Sequence, residues 1–187
     1  MEKNFVNTKA AQLSFHLIAY YIVWFSCIYG AAHNYLWAGL MISVVITLLQ
    51  YFWQKCFRKQ TDNLLIFILY LTIVGFVGDS LLVYFRVLDF ASNPFTFPCS
   101  APFMIGIWLN FSIMFYAILL WFVQRPVFLM IFSLIGFVFA YFVGSSMNAA
   151  FLLQGTKSLL VIGIMWGVLL PSSILLFDRF LTLPKES

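Results

Sequence analysis

One carboxylate, Asp79, stands inside an otherwise hydrophobic segment, in the stretch Phe76-Val77-Gly78-Asp79-Ser80-Leu81-Leu82-Val83-Tyr84-Phe85-Arg86. An ionisable group at membrane depth costs at least about 2.5–3.5 kcal/mol on insertion scales, so it faces a protein interior or a water-filled cavity and marks a functional position by default. The chemistry open to it is that of a general acid or base, or of a proton or cation site. Arg86 follows about two turns later, roughly 10 Å along the same helix face, where it can snorkel outward and lend positive potential. Gly75 and Gly78 leave room beside the carboxylate for a neighbouring helix or a ligand.

Other polar groups map to the same depth. Trp108 and Asn110 lie on the fourth hydrophobic segment, and Tyr141, Ser145 and Asn148 on and after the fifth. With His33 in the first outer loop, they outnumber the polar groups of the other half, chiefly His16, Gln50 and Ser133. The expected site is a polar pocket open to the outer face or outer leaflet: Asp79 as the reactive group, with Asn110, Tyr141, Ser145, Asn148, Arg86 and Trp108 binding the ligand. The plainer alternative makes Asp79 a packing residue satisfied by Ser80 and a neighbouring amide, and Asn110 and Tyr141 interhelical hydrogen-bonders. Cys27, Cys56 and Cys99 lack metal-ligand spacing, and no metal or cofactor is expected. The HExxH, GxSxG, Walker and CxxC patterns are absent, so a standard zincin, hydrolase or ATPase site has no support.

The elements that must position these groups follow from composition. Of 187 residues 64% are hydrophobic and 9% charged, whereas soluble domains carry about 25% charged residues. Long apolar runs separated by short polar ones predict an all-α, polytopic transmembrane bundle forming a single integral membrane domain over residues 1–187. About six spans fit: Leu13–Gly30, Leu36–Trp53, Leu64–Phe85, Phe103–Val123, Val127–Gly144 and Ser158–Phe177. Pro126 suits the first position of the fifth helix. Residues 145–156 are too apolar for an ordinary loop and too short to span; they extend helix five or form a short half-buried helix. The basic start, apolar run and Gly30-Ala31-Ala32 mimic a signal peptide, but the run is long enough to span and aromatic-rich, and another segment follows at once.

The net charge of +4 is not a nucleic-acid signal, because the basic residues sit in loops. With both termini cytoplasmic, the inner side receives Lys3, Lys9, Lys55, Arg58, Lys59, Arg125, Arg179 and Lys185, and the outer side only Arg86 and Lys157. Three small-residue stripes, Gly39/Ser43/Thr47, Gly136/Ala140/Gly144 and Gly163/Gly167, predict close helix packing within the bundle or a homodimer face. Pro171 is expected to kink helix six.

Several of these residues carry a resemblance. Trp24-Phe25-Ser26-Cys27-Ile28-Tyr29-Gly30-Ala31-Ala32, Gly78-Asp79-Ser80-Leu81-Leu82, Trp108 with Asn110-Phe111, Ala140-Tyr141-Phe142-Val143-Gly144, Trp166 and Pro171 occur in the order seen in a bacterial inner-membrane family, domain of unknown function 2878. The chain departs from it at Phe137-Val138, where many members carry Gly-Pro, and at Ala117-Ile118-Leu119-Leu120, where a polar pair is usual. Genes of that family often lie beside fatty-acid-modifying enzymes such as cyclopropane-synthase-like methyltransferases, so the resemblance implies a lipid-related role in the bacterial inner membrane. Gly78-Asp79 is also similar to a Gly-Asp pair in lysoplasmalogenases, multi-span enzymes that cleave a vinyl-ether lipid. Three readings stand: a protein that binds or processes a membrane lipid or amphiphile, a small transporter or permease using Asp79 as a proton or cation site, and a non-catalytic scaffold for a lipid-modifying membrane-protein partner. The lack of a visible internal repeat weighs against the second.

Overall fold

A computed structural model of the chain describes residues 9–57 and 61–181. Of the basic residues named above, Lys3, Arg58, Lys59 and Lys185 lie outside the described residues. Six helices are long and apolar enough to cross a membrane. They are α1 (Lys9–Ala32), α2 (Ala38–Phe57), α3 (Leu64–Tyr84), α4 (Pro102–Met114), α5 (Pro126–Ser146) and α6 (Thr156–Leu181). The α4 span continues through a π-helical turn, Phe115–Leu119, and a 3-10 turn, Leu120–Gln124. Pro102 and Pro126 each stand at a helix start, where no intrahelical N–H is lost. α6 runs helical through Pro171.

Helix α4 is the axis of the bundle. Almost every one of its residues is buried, Trp108, Asn110, Ser112 and Ile113 among them, because α1, α2 and α3 all pack against it. The other helices turn apolar faces outward: Ile18, Ile73, Ile135 and Ile164 are each at least 60% exposed, as a lipid-facing belt requires. Helix α2 shows the inversion most clearly. Its buried residues are Gly39, Ser43, Thr47, Gln50 and Gln54, so its polar stripe faces the bundle and its apolar side faces lipid. A Cβ on Gly39 would lie 2.6 Å from the Cα of Cys27 on α1, and Ser43 Oγ donates to the Gly106 carbonyl of α4. Gly163 and Gly167 likewise admit Val138 and Leu134 of α5. The third stripe behaves differently: a Cβ on Gly136 would meet nothing within 4 Å.

The helices α1, α3 and α5 end in one way. Asn34, Arg86 and Asn148 have φ of 63°, 54° and 61°. Around them Tyr35 N–H donates to Gly30, Val87 N–H to Leu82 and Ala149 N–H to Gly144, at 2.8, 2.9 and 2.9 Å. These are Schellman caps, which satisfy helix-end carbonyls and turn the chain sharply. After two of them the chain enters short strands, β1 (Leu88–Phe90) and β2 (Ala150–Leu152), which pair antiparallel with Leu88 opposite Leu152 and Phe90 opposite Ala150. So residues 145–156 form neither a longer helix five nor a separate helix; α5 stops at Ser146 and Ala150–Leu152 becomes one arm of a ribbon. Pairing with residues 88–90 satisfies backbone groups that an isolated apolar loop would leave open, and single-segment periodicity carries no sign of it.

The packing predicts that Gly39→Val, forced against the α1 backbone, costs about 1–3 kcal/mol, whereas Gly136→Ala is nearly neutral. Thermal unfolding of the detergent-purified variants checks this; equal melting temperatures would contradict the close α1–α2 approach.

Candidate functional site

Asp79 is fully buried and is held by two donors from two other helices. Trp108 Nε1–H of α4 donates to Oδ2 at 2.8 Å, and the Tyr141 hydroxyl of α5 donates to Oδ1. The glycines before it explain how an indole reaches so deep. A Cβ on Gly75 would lie 2.0 Å from the Trp108 ring, and one on Gly78 would lie 2.6 Å from the Trp166 ring. Both positions must be glycine for these two rings to lie against α3. Trp108, Trp166 and Phe137 then stack on one another with ring centres 4.5–5.5 Å apart. The aromatic block fixes the Trp108 ring, and the ring's N–H fixes the carboxylate. Ser80 bonds elsewhere: its hydroxyl donates to Phe76 and accepts from Ser100 N–H, anchoring the loop before α4.

Of the expected ligand-binding residues, the structure brings Trp108 and Tyr141 to Asp79 and sends the others away. Asn110 is two residues from Trp108, about 200° around the helix, so it faces α2. There its Nδ2–H donates to Thr47 at 3.0 Å and to Gln50 at 2.5 Å, and Gln50 Nε2 meets His16 Nδ1 at 2.9 Å. A second buried polar cluster thus lies across α4 from Asp79, and equal depth misled the assignment because it ignores helix azimuth. Arg86 is exposed. Its αL cap conformation swings it off the face of Asp79, and its guanidinium lies 4.5 Å from the centre of the Phe97 ring. Ser145 and Asn148 form the C-terminal turn of α5, where Asn148 N–H donates to the Ser145 carbonyl. His33 is exposed and stacks on Tyr29. Among the described residues no cluster of three His, Cys, Asp or Glu side chains has metal-binding arrangement.

Beside the Asp79 pair lies an unfilled space. α5 packs mainly on α6, and its backbone stays away from α1 and α4. The result is a groove of about 590 Å³, floored by α4 at Phe111 and Met114 and walled by α1 and by Gly136, Phe137 and Ala140 of α5. Its rim residues Leu13, Phe25 and Phe139 are 44–67% exposed on the lipid-facing surface. From Leu13 to Phe25 the groove follows α1 for about 18 Å. At its upper end a smaller cavity of about 50 Å³ shares Tyr20, Trp24, Phe111, Phe137 and Ala140 with the groove and adds Trp108 and Tyr141. Phe90, Ala149 and Ala150 of the ribbon region line it above. The expected polar pocket is therefore an apolar groove with one polar end. Tyr141 forms part of that end, while Asp79 sits behind it, outside the cavity wall.

Sequence reasoning missed the groove and the His16–Gln50–Asn110–Thr47 cluster. The cluster had a signal, the spacing of Ser43, Thr47, Gln50 and Gln54 on one face of α2. The groove had a weaker one, the stripe of small residues on α5, which sequence alone does not distinguish from a packing face.

The geometry predicts that Asp79→Asn folds, since an amide of the same shape can still bond both partners. Asp79→Leu leaves Trp108 Nε1–H and the Tyr141 hydroxyl without an acceptor, at about 1–3 kcal/mol each. Thermal melts of both variants check the order; a leucine variant as stable as wild type would show that the two hydrogen bonds contribute nothing.

The family described as "Protein of unknown function (DUF2878)" matches residues 13–172 of the chain. No curated protein and no solved structure matches it.

Proposed function

The chain belongs to the DUF2878 family of unknown function, and we propose that it is an inner-membrane protein of bacteria that takes an amphiphile from the bilayer and holds it with its polar end at Tyr141. One observation carries this reading: the groove between α1 and α5 opens on the lipid-facing surface and shares Tyr20, Trp24, Phe111, Phe137 and Ala140 with a smaller cavity lined by Tyr141, whose hydroxyl bonds Asp79. Gly136 and Ala140 keep that wall of the groove low, and a Cβ on Gly136 would meet nothing within 4 Å. Tyr141 is the group that touches the ligand. Asp79 is a positioning residue that fixes the direction of the Tyr141 hydroxyl, and any proton that Tyr141 exchanges with the ligand passes to or from this carboxylate.

Transport has less support. The hydrogen-bonded clusters at Asp79 and at Asn110 lie on opposite faces of α4, with the Phe111 and Trp108 rings on that helix, and among the described residues no side-chain hydrogen bond links Asp79, Trp108 or Tyr141 to Asn110, Thr47 or Gln50. A scaffold role would leave the groove without a purpose.

Both termini lie in the cytoplasm in this proposal, as the distribution of basic residues favours. In a background with Cys56 and Cys99 replaced by serine, Thr96→Cys is then labelled by a membrane-impermeant maleimide in intact cells and Gln124→Cys is protected. The reverse pattern would invert the orientation.

Native mass spectrometry of the detergent-purified protein tests the binding reading. The wild type carries an amphiphile adduct, and Gly136→Trp, which fills the groove, loses it. A bare wild-type mass, or an adduct that survives in Gly136→Trp, would sink the proposal.

A further inference from the structure

The small cavity at the end of the groove restricts what the amphiphile is. We infer that the ligand is a single-chain amphiphile whose head is an uncharged hydroxyl, a long-chain alcohol, with that hydroxyl donating its hydrogen bond to the Tyr141 oxygen. This rests on the amphiphile reading above and narrows it by three independent constraints.

Size is the first. The end cavity holds about 50 Å³, room for a few water-sized groups, and the ribbon-region residues Phe90, Ala149 and Ala150 form part of its wall. A hydroxyl with its first carbons fits; a phosphocholine or phosphoethanolamine head does not. The groove below is wide enough for a chain.

Charge is the second. No Lys, Arg or His lines either cavity, and the nearest ionisable group behind the wall is the Asp79 carboxyl. A phosphate or carboxylate head would enter an apolar cavity with no cation to pair with it, at a desolvation cost that nothing there offsets.

Hydrogen-bond direction is the third. The Tyr141 hydroxyl spends its only proton on Asp79, and the Trp108 N–H is also committed to that carboxylate. The phenol oxygen, which the Trp166 N–H also approaches, keeps acceptor capacity for one further donor. A head group that bonds Tyr141 must therefore be a donor. Tyr20, which lines both cavities, is a second phenol within the same space and can donate to the oxygen of the incoming hydroxyl. An ester or ketone head, having no proton to give, is recognised poorly at Tyr141.

The direction of the Tyr141 hydroxyl is set by Asp79, so it can be reversed. In Asp79→Asn the amide oxygen retains the Trp108 N–H, and the amide N–H donates to the Tyr141 oxygen. The Tyr141 proton then turns toward the cavity, and the site changes from acceptor to donor. A residue with only a packing role would not change head-group preference in this way.

The experiment uses the full chain in lipid nanodiscs and a palmityl alcohol carrying a mid-chain diazirine as the photoprobe. The expected adducts fall on the peptides containing Tyr20 and Phe137, and unlabelled palmityl alcohol competes. Methyl palmitate and lysophosphatidylcholine compete about tenfold less well, as expected for the loss of one committed hydrogen bond or for a head that does not fit. In Asp79→Asn, methyl palmitate gains on the alcohol as competitor. If the probe labels the groove but methyl palmitate or lysophosphatidylcholine competes equally in the wild type, the hydroxyl assignment is overturned and the amphiphile site stands. If labelling is no greater in the wild type than in Gly136→Trp, both readings fail. If labelling is specific but head-group preference is the same in wild type and Asp79→Asn, the role given to Tyr141 and Asp79 is overturned.

Discussion

A carboxyl group buried in the middle of a membrane bundle has to find its hydrogen bonds within the protein, and the arrangement of four helices here answers to that requirement. Asp79 on α3 takes one donor from Trp108 on α4 and one from Tyr141 on α5, while Trp166 of α6 braces the indole. Neither ring could come so close to α3 if Gly75 or Gly78 carried a side chain. The polar cost of the carboxylate and the loss of packing at two glycines are thus linked, because the glycines admit the rings and the rings supply a donor. Removing one partner alone would leave an unsatisfied group in a medium that offers no water to replace it.

The same bonds set the position of α5. It is fastened to the rest of the bundle through α6, through the Tyr141 hydroxyl and through the ribbon that β2 forms with β1, and its backbone stays away from α1. The space left between α1 and α5 is the groove. Its upper end is lined by the residues that follow the α5 Schellman cap, Ala149 and Ala150, together with Phe90. Cap, ribbon and cavity are therefore one construction: the cap turns the chain over the bundle, the ribbon satisfies its backbone, and its small side chains roof the site.

Much of this could be read from the sequence, and what could not has definite physical reasons. The six apolar runs gave their helices within a few residues, because the length of a span is dictated by bilayer thickness. Asp79 was found from its cost alone, and Trp108 and Tyr141 from their depth. Depth also places Asn110, Ser145 and Asn148 with them, and helix spacing places Arg86 on the face of Asp79; the structure separates all four. Asn110 points the other way around α4, and the remaining three belong to helix ends where the chain leaves its helical path. Azimuth and cap conformation depend on which neighbours a helix meets, and a one-dimensional depth map contains neither. The ribbon was missed for a related reason: two three-residue strands far apart in the chain acquire their identity only by pairing.

The claim on which the account turns is that the α1–α5 groove is a seat for a bilayer amphiphile and not a packing defect. An experimental map of the protein in lipid nanodiscs addresses it most directly. The account predicts an elongated non-protein density that begins at the Tyr141 oxygen, passes Gly136 and Phe111, and emerges between Leu13 and Phe132. A map in which α1 and α5 close on each other, with side chains filling the space beside Gly136 and no density at Tyr141, would contradict it.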